Sequence, residues 1–227
     1  QWYRRRGGSD RKSTEIFFRH WIPMLAPSTP HIAEEFWSKV GNQDMISEYI
    51  ISNVSELKDD IIHIAKEQYL RDLIDSSRNV KGLASRHSEV DISKCIIQTS
   101  PKWKNDIAIE ALSLSVENFD FKRNGMNHVK SLEVFGVEKL RGEVIQTWQS
   151  FTTGNKKTRG KIHTWSEAEK SLINLRFNES EFINKNADFI AYSLSIDNVF
   201  SYDVGDGDDV AGKARVSSPL NPGIAFI

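Results

Sequence analysis

The sequence predicts a mainly α-helical protein with a smaller α+β part toward its end. Three observations lead there. Between residues 46 and 64, isoleucine, valine and leucine recur in steps of three and four, the spacing of one helix face. Residues 25–37 read as one helix stopped and a second begun. Short β-like runs appear only after about residue 90, which argues for α+β in the second half.

Taken in order, the first helix is capped by Ser13 or Thr14 and carries Ile16, Phe17, Trp21 and Leu25 on one side. Pro23 lies inside that pattern and is expected to kink or shorten it. Pro27 turns the residue before it away from helical geometry, so the helix stops near Leu25. Thr29 then caps a second helix, with Pro30 at its first position, where the missing N–H costs nothing. Glu34 and Glu35 suit the positive end of that helix dipole. Ile32, Ala33, Phe36, Trp37 and Val40 follow at helical spacing, and Gly41 is a natural stop. Two antiparallel helices joined this way form an αα-hairpin, a unit of helical bundles.

Ile46, Ile50, Val54, Leu57, Ile61 and Ile64 predict a third, long helix, which Tyr69, Leu70, Leu73 and Ile74 extend to about Ser77. Its opposite face, with Glu48, Glu56, Lys58, Asp59 and Asp60, reads as solvated. Residues 76–93 are polar and contain Gly82, which suggests a linker. The domain boundary is therefore expected near residue 90. It separates a helical domain at 1–90 from an α+β domain at 91–227.

Cys95 to Thr99 gives the first strand, and Ser100-Pro101 opens a helix striped by Trp103, Ile107, Ala111 and Leu114. Met126, Val129, Leu132 and Phe135 mark another helix, ended by Gly136. Leu140, Val144, Trp148 and Phe151 mark the next. Ser166 and Glu169 form a capping-box pattern. One further helix carries Phe182, Ile183, Phe189, Ile190 and Leu194, and strands are expected at residues 199–202 and 224–227.

Composition narrows the function. The chain has 227 residues, 39% of them hydrophobic, enough for a real core, and a net charge of −1, so nothing draws it globally toward nucleic acid. Its single cysteine, Cys95, excludes an intramolecular disulfide and fits a reducing compartment. No apolar run approaches the ~20 residues that span a bilayer. Gln1-Trp2-Tyr3-Arg4-Arg5-Arg6 opens without methionine or a signal-peptide pattern, so the chain is expected to be a piece of a longer protein.

Catalytic patterns are missing. One cysteine and six scattered histidines offer no paired zinc spacing. A calcium loop starting at Asp203 fails where Gly205, Gly207 and Ala214 occupy ligand positions. Neither glycine-rich phosphate fingerprint occurs. Glu34 and Glu35, adjacent on a helix, suit a capped end better than acid/base work. No catalytic or metal-ligating residue and no cofactor is expected in this chain.

The candidate surface is local basic charge. Lys102 and Lys104 flank Trp103 at the start of a helix, where the dipole and free N–H groups favour phosphate. Trp103 itself begins a buried stripe. Lys156, Lys157, Arg159 and Lys161 lie in a Gly/Thr/Asn-rich segment without acids, which could mould itself to RNA. Lys213 and Arg215 precede a Pro-rich closing peptide. Ordinary solubility charge accounts for each of these just as simply.

Residues 17–37, with their apolar helix, Leu25-Ala26-Pro27-Ser28-Thr29-Pro30-His31 turn and Glu34-Glu35-Phe36-Trp37 helix, resemble the anticodon-binding domain of class Ia aminoacyl-tRNA synthetases. Lys94-Cys95-Ile96-Ile97-Gln98-Thr99, then Pro101-Lys102-Trp103-Lys104, and the closing Gly212 to Val216 and Pro222 to Ile227 are similar to the archaeal and eukaryotic-cytosolic type of leucyl-tRNA synthetase. The resemblance implies a C-terminal piece of a leucine–tRNA ligase. ATP, Mg and the catalytic and editing domains would belong to the N-terminal part of the same chain. The partner it implies is tRNA-Leu, met in the cytoplasm, with the terminal peptide reaching the long variable arm. By position this adds Phe226 and Ile227 to Lys213 and Arg215. An isoleucyl- or valyl-tRNA synthetase, or a helical protein-interaction module, are the alternatives.

Overall fold

The computed structural model describes residues 6–7, 11–49, 58–87, 92–117, 119–153, 160–203, 212–213 and 215–227. The chain divides into two compact units, Gln1–Lys58 and Asp59–Ile227. The first compact unit ends some thirty residues before the domain boundary expected near residue 90, because the long helix belongs to the second unit.

The first unit contains α1 (Arg11–Leu25), α2 (Pro30–Lys39) and a single 3₁₀ turn at Ile46–Glu48. Pro23 does not end α1 but falls in its last turn, two residues before Leu25. Thr29 precedes α2 as expected, but its hydroxyl donates to the Leu25 carbonyl (3.2 Å) and closes the first helix instead of capping the second. Gly41 ends the hairpin at φ +96°, a backbone geometry suited to glycine. The core is small: Ile22, Ala33, Trp37 and Ile46 are buried, and Tyr49 stacks tilted on Trp37 at 4.7 Å. Glu34, which attracts an acid/base reading, accepts from the backbone N–H of Ile46 (3.0 Å) and fixes the 3₁₀ turn. Ile32 and Phe36, by contrast, remain exposed.

The second unit opens with α3 (Lys58–His87). The expected start of this helix lies partly in residues 50–57, outside the described residues, and Ile46 belongs to the 3₁₀ turn instead. Its end lies ten residues beyond the expected one, straight through Gly82. Tertiary contacts hold it there. Lys81 Nζ donates to the carbonyls of Leu194 (2.7 Å) and Ser195 (3.0 Å), at the negative end of a later helix. A glycine costs only about 1 kcal/mol relative to alanine in a helix, which such bonds offset.

β1 (Lys94–Gln98) follows, then α4 (Lys102–Val116), α5 (Phe121–Ser131), α6 (Arg141–Thr152), α7 (Glu167–Asn174), α8 (Glu179–Lys185), α9 (Ala187–Leu194), β2 (Asn198–Tyr202) and β3 (Gly223–Phe226). Mainly α with a small sheet is thus the observed class. Asp120 caps α5 by accepting from the N–H groups of Lys122 and Arg123, and the Ser166–Glu169 capping box is formed in both directions. α5 ends at Ser131 and short 3₁₀ turns carry the chain to Gly136. The helix expected around Phe182 to Leu194 is two, broken at Asn186. β1 lies centrally in the order β2-β1-β3, parallel to β2 (Cys95 opposite Val199) and antiparallel to β3 (Cys95 opposite Phe226). All of α4 to α9 form the crossover from β1 to β2. Ile107, Ala111, Val129, Val144, Trp148, Phe151 and Ile162 make its core, each large aliphatic worth about 1.5–3 kcal/mol.

One polar contact joins three distant parts of this unit. The Tyr69 phenol of α3 donates to Glu179 Oε2 (2.7 Å) at the start of α8, and Glu179 Oε1 accepts from the backbone N–H of Leu220 (3.1 Å). Burial pushes the Glu179 carboxyl up to about 7, with nearby Asp203 adding to the rise and the two hydrogen bonds opposing it. Burial and the facing carboxyl hold the Tyr69 phenol well above its ordinary range.

Because the folded value of Glu179 exceeds the unfolded one near 4.5, the folded chain binds the extra proton. Its contribution is therefore complete below about pH 4.5 and lost as pH rises through about 7. The unfolding free energy of the native chain, from urea titrations, should fall across that window by up to ~3 kcal/mol relative to Glu179→Gln. Parallel pH profiles for the two would refute a raised carboxyl.

Candidate nucleic-acid interface

The basic residues singled out in the sequence separate into two groups once their partners are known. Lys104 is only 5% exposed. From the first turn of α4 its ammonium donates to the carbonyls of Arg215 (2.9 Å) and Ser217 (2.7 Å) and lies 5.5 Å from the Trp103 ring centre. Lys161 donates to Ser218 Oγ (2.7 Å) and sits over the Phe151 ring at 5.8 Å. Burial lowers both ammonium groups below the usual lysine range; for Lys104, Glu143 raises and Lys161 lowers in turn. Two lysines expected to face phosphate are therefore turned inward onto the closing segment. A positive charge at such a site is held by carbonyl dipoles and ring faces.

Lys102 and Arg215 are exposed, and Lys213 is half-buried. Lys156, Lys157 and Arg159 lie outside the described residues. Trp103, as expected, packs its half-buried ring against the core.

The closing segment is fastened along its length. Beyond Lys104, Lys161 and Glu179, the carbonyl of Lys213 accepts from the N–H groups of Val216 and Ser217. Gly223 lies so close to Lys213 that a Cβ would meet its Cβ at 2.5 Å and its carbonyl oxygen at 2.8 Å. Here only glycine fits. The chain then pairs with β1, and Ile227 exchanges two backbone bonds with Lys94, each 3.0 Å. Phe226 is half-buried in this strand, while the Ile227 side chain is 59% exposed beside the exposed Lys94. The closing segment thus runs into a strand paired with β1, which sets Ile227 opposite Lys94.

Two groups of residues escape a reading by sequence. Phe200 and Tyr202 lie on the open face of β2, 41% and 40% exposed, with ring centres 6.5 Å apart and planes 20° from parallel. The period-two alternation with buried Val199 and Ser201 could have found them. Lys94 could not be ranked without knowing that Ile227 lies opposite it. Cys95, fully buried with its thiol pushed up to about 12 by desolvation, is inert packing. Among the described residues no group of three or more His, Cys, Asp or Glu is placed to hold a metal ion, and no helix is long and apolar enough to cross a membrane.

Residues 4–113 match the anticodon-binding domain of tRNA ligase. A leucine–tRNA ligase of Methanococcus maripaludis strain C7 is 26% identical over 236 residues, 99% of this chain and 20% of that protein. Leucine–tRNA ligase 1 of Sulfolobus acidocaldarius is 27% identical over 206 residues, 90% of this chain and 19% of its own length. The Pyrococcus abyssi leucine–tRNA ligase is 24% identical over 99% of this chain and 21% of its length. The chain spans about a fifth of the length of these relatives.

Lys104→Met keeps the stem that packs on Trp103 but leaves the carbonyls of Arg215 and Ser217 without their donor. The expected loss is about 1–3 kcal/mol. Backbone hydrogen exchange should accelerate at residues 216–221 and remain native in α5. Unchanged exchange at 216–221 would show that the lysine does not hold the segment.

Proposed function

We propose that this chain is the tRNA-docking part of a leucine–tRNA ligase. It carries the anticodon-binding domain at residues 4–113 and an α+β unit that positions tRNA-Leu through its long variable arm. Activation of leucine with ATP and Mg²⁺, and editing, would take place in other domains of the same polypeptide, in the cytoplasm. The observation that carries the reading is similarity to leucine–tRNA ligases along 99% of the chain, closing segment included. The relatives compared above are leucine–tRNA ligases, which favours this reading over an isoleucyl or valyl enzyme.

The geometry divides the labour. Lys104 and Lys161 hold the closing segment from within, so that Arg215 and Ile227 sit at fixed surface positions. Exposed Arg215, Lys102 and Lys94, with Lys213, supply local positive charge on a chain of net charge −1. Such contacts fix the register of an RNA without reading its bases. Phe226 and Ile227 supply apolar surface for a base at the tip of the arm. Lys156, Lys157 and Arg159 would add phosphate contacts from the segment they share.

Binding of this chain to tRNA-Leu should exceed binding to a tRNA with a short variable arm. Equal affinity for both would remove the arm from the reading. Neutralising Lys156, Lys157 and Arg159 together should flatten the log–log salt slope by about 2, since each phosphate contact contributes roughly 0.7–0.9. An unchanged slope would assign those residues to solvent.

A further inference from the structure

At the carboxyl ends of the parallel strands β1 and β2 the second unit holds a crevice of about 760 Å³. That size is ordinary for a small-molecule site, and strand carboxyl ends in open α/β sheets are where ligands commonly bind. Its lining is mixed in a particular way. Trp103 and Phe177 bring two aromatic side chains from different elements, the first turn of α4 and the connection from α7 to α8. Thr99 and Asp203, the residues just beyond β1 and β2, line it together with Glu179, and Thr99 Oγ1 donates to Asp203 Oδ1 at 2.5 Å. Asn105 adds an amide, and the Arg176–Asp106 ion pair, 2.5 Å between charged atoms, borders the opening.

The charge and shape exclude some occupants and favour one. Arg176 is paired with Asp106 and Lys102 stands at the border, so the interior presents the Asp203 carboxylate, which disfavours a phosphate or carboxylate group there. A neutral, flat group carrying N–H donors meets both conditions, since aromatic side chains offer stacking and carboxylate and hydroxyl oxygens accept. Unstacked RNA bases are recognised in this manner, on aromatic faces and by their polar edges. The exposed Lys102 at the border stands where the phosphate of the same nucleotide would remain outside.

We infer that this crevice receives an unstacked, amino-bearing base of the bound tRNA, apart from the terminal peptide, with Trp103 and Phe177 flanking the ring and Asp203 accepting from its amino group. This pocket rests on the tRNA-docking reading above. It adds base recognition to a unit whose other contacts are to backbone and arm tip. Tyr202, the strand residue preceding Asp203, exposes its ring together with Phe200 and offers a neighbouring base a stacking surface.

The test is a coupling experiment on the full 227-residue chain. Affinities are measured for tRNA-Leu and for versions in which each unpaired nucleotide outside the anticodon loop is made abasic, one at a time. The protein is wild type, Asn105→Trp, which places a large side chain into the crevice from the half-exposed side of α4, or Asp203→Asn, which removes the acceptor charge. Matching thermal transitions establish that both variants fold. One abasic position should weaken binding to the wild type about tenfold, the worth of one stacked and bonded base. The same change should alter binding to either variant by less than about twofold. Equal losses in wild type and both variants at every position would overturn the pocket while leaving tRNA docking intact. Failure of the wild-type chain to bind tRNA-Leu at all would overturn docking and pocket together. Saturable binding of free adenosine, cytidine or guanosine, with no abasic position affecting tRNA affinity, would make the crevice a free-nucleoside site and also overturn it.

Discussion

The buried carboxyl of Glu179 is the point on which the second unit converges. It accepts from the Tyr69 phenol, 110 residues away in sequence, and from the Leu220 backbone, 41 residues away. A carboxyl removed from water needs its oxygens satisfied, because an unpaired buried acceptor costs about 1–3 kcal/mol and a charged one more. Two long-range donors meet that need, and in doing so they set where α3 and the closing segment must lie relative to α8. Aromatic contacts around it support the same arrangement, with Phe177 and Phe182 both against the Tyr69 ring.

Lys104 and Lys161 play the complementary part for cations. Both leave water, both lose some of their tendency to carry charge, and both recover hydrogen bonds from residues 215–218. Acid and bases thus close the same segment from separate sides. The consequence for function is indirect but definite. A peptide that would otherwise be a loose tail enters the sheet beside β1, and its last residue is placed opposite Lys94. On the docking function proposed above, few surface residues need meet RNA when their positions are fixed in this way, since less conformational freedom is lost on binding.

Local punctuation was legible in the sequence. Pro30 starts α2, Ser166 and Glu169 form their capping box, and the strands fall within a residue or two of their expected places. The resemblance of residues 17–37 to an anticodon-binding domain agrees with the match over residues 4–113. What failed shares a cause. Residues 76–87 look like a linker by composition, yet they are helical because Arg78 and Lys81 bond to carbonyls of residues 193–195, more than a hundred positions away. Lys104 and Lys161 read as phosphate ligands because a lysine between polar neighbours gives no sign of the carbonyls that will fold onto it.

By itself, then, the sequence determined the elements and their caps, since these depend on backbone preferences and neighbours within about four residues. It also carried the resemblance to an anticodon-binding domain, which rests on a short and specific motif. Only the tertiary structure decided which charges face inward, where α3 ends and that the closing strand pairs antiparallel with β1. It also created the crevice at Thr99 and Asp203, residues that adjoin only because β1 and β2 pair across the whole helical crossover. Such contacts follow from chain closure over long distances, and no local pattern encodes the partner that will arrive.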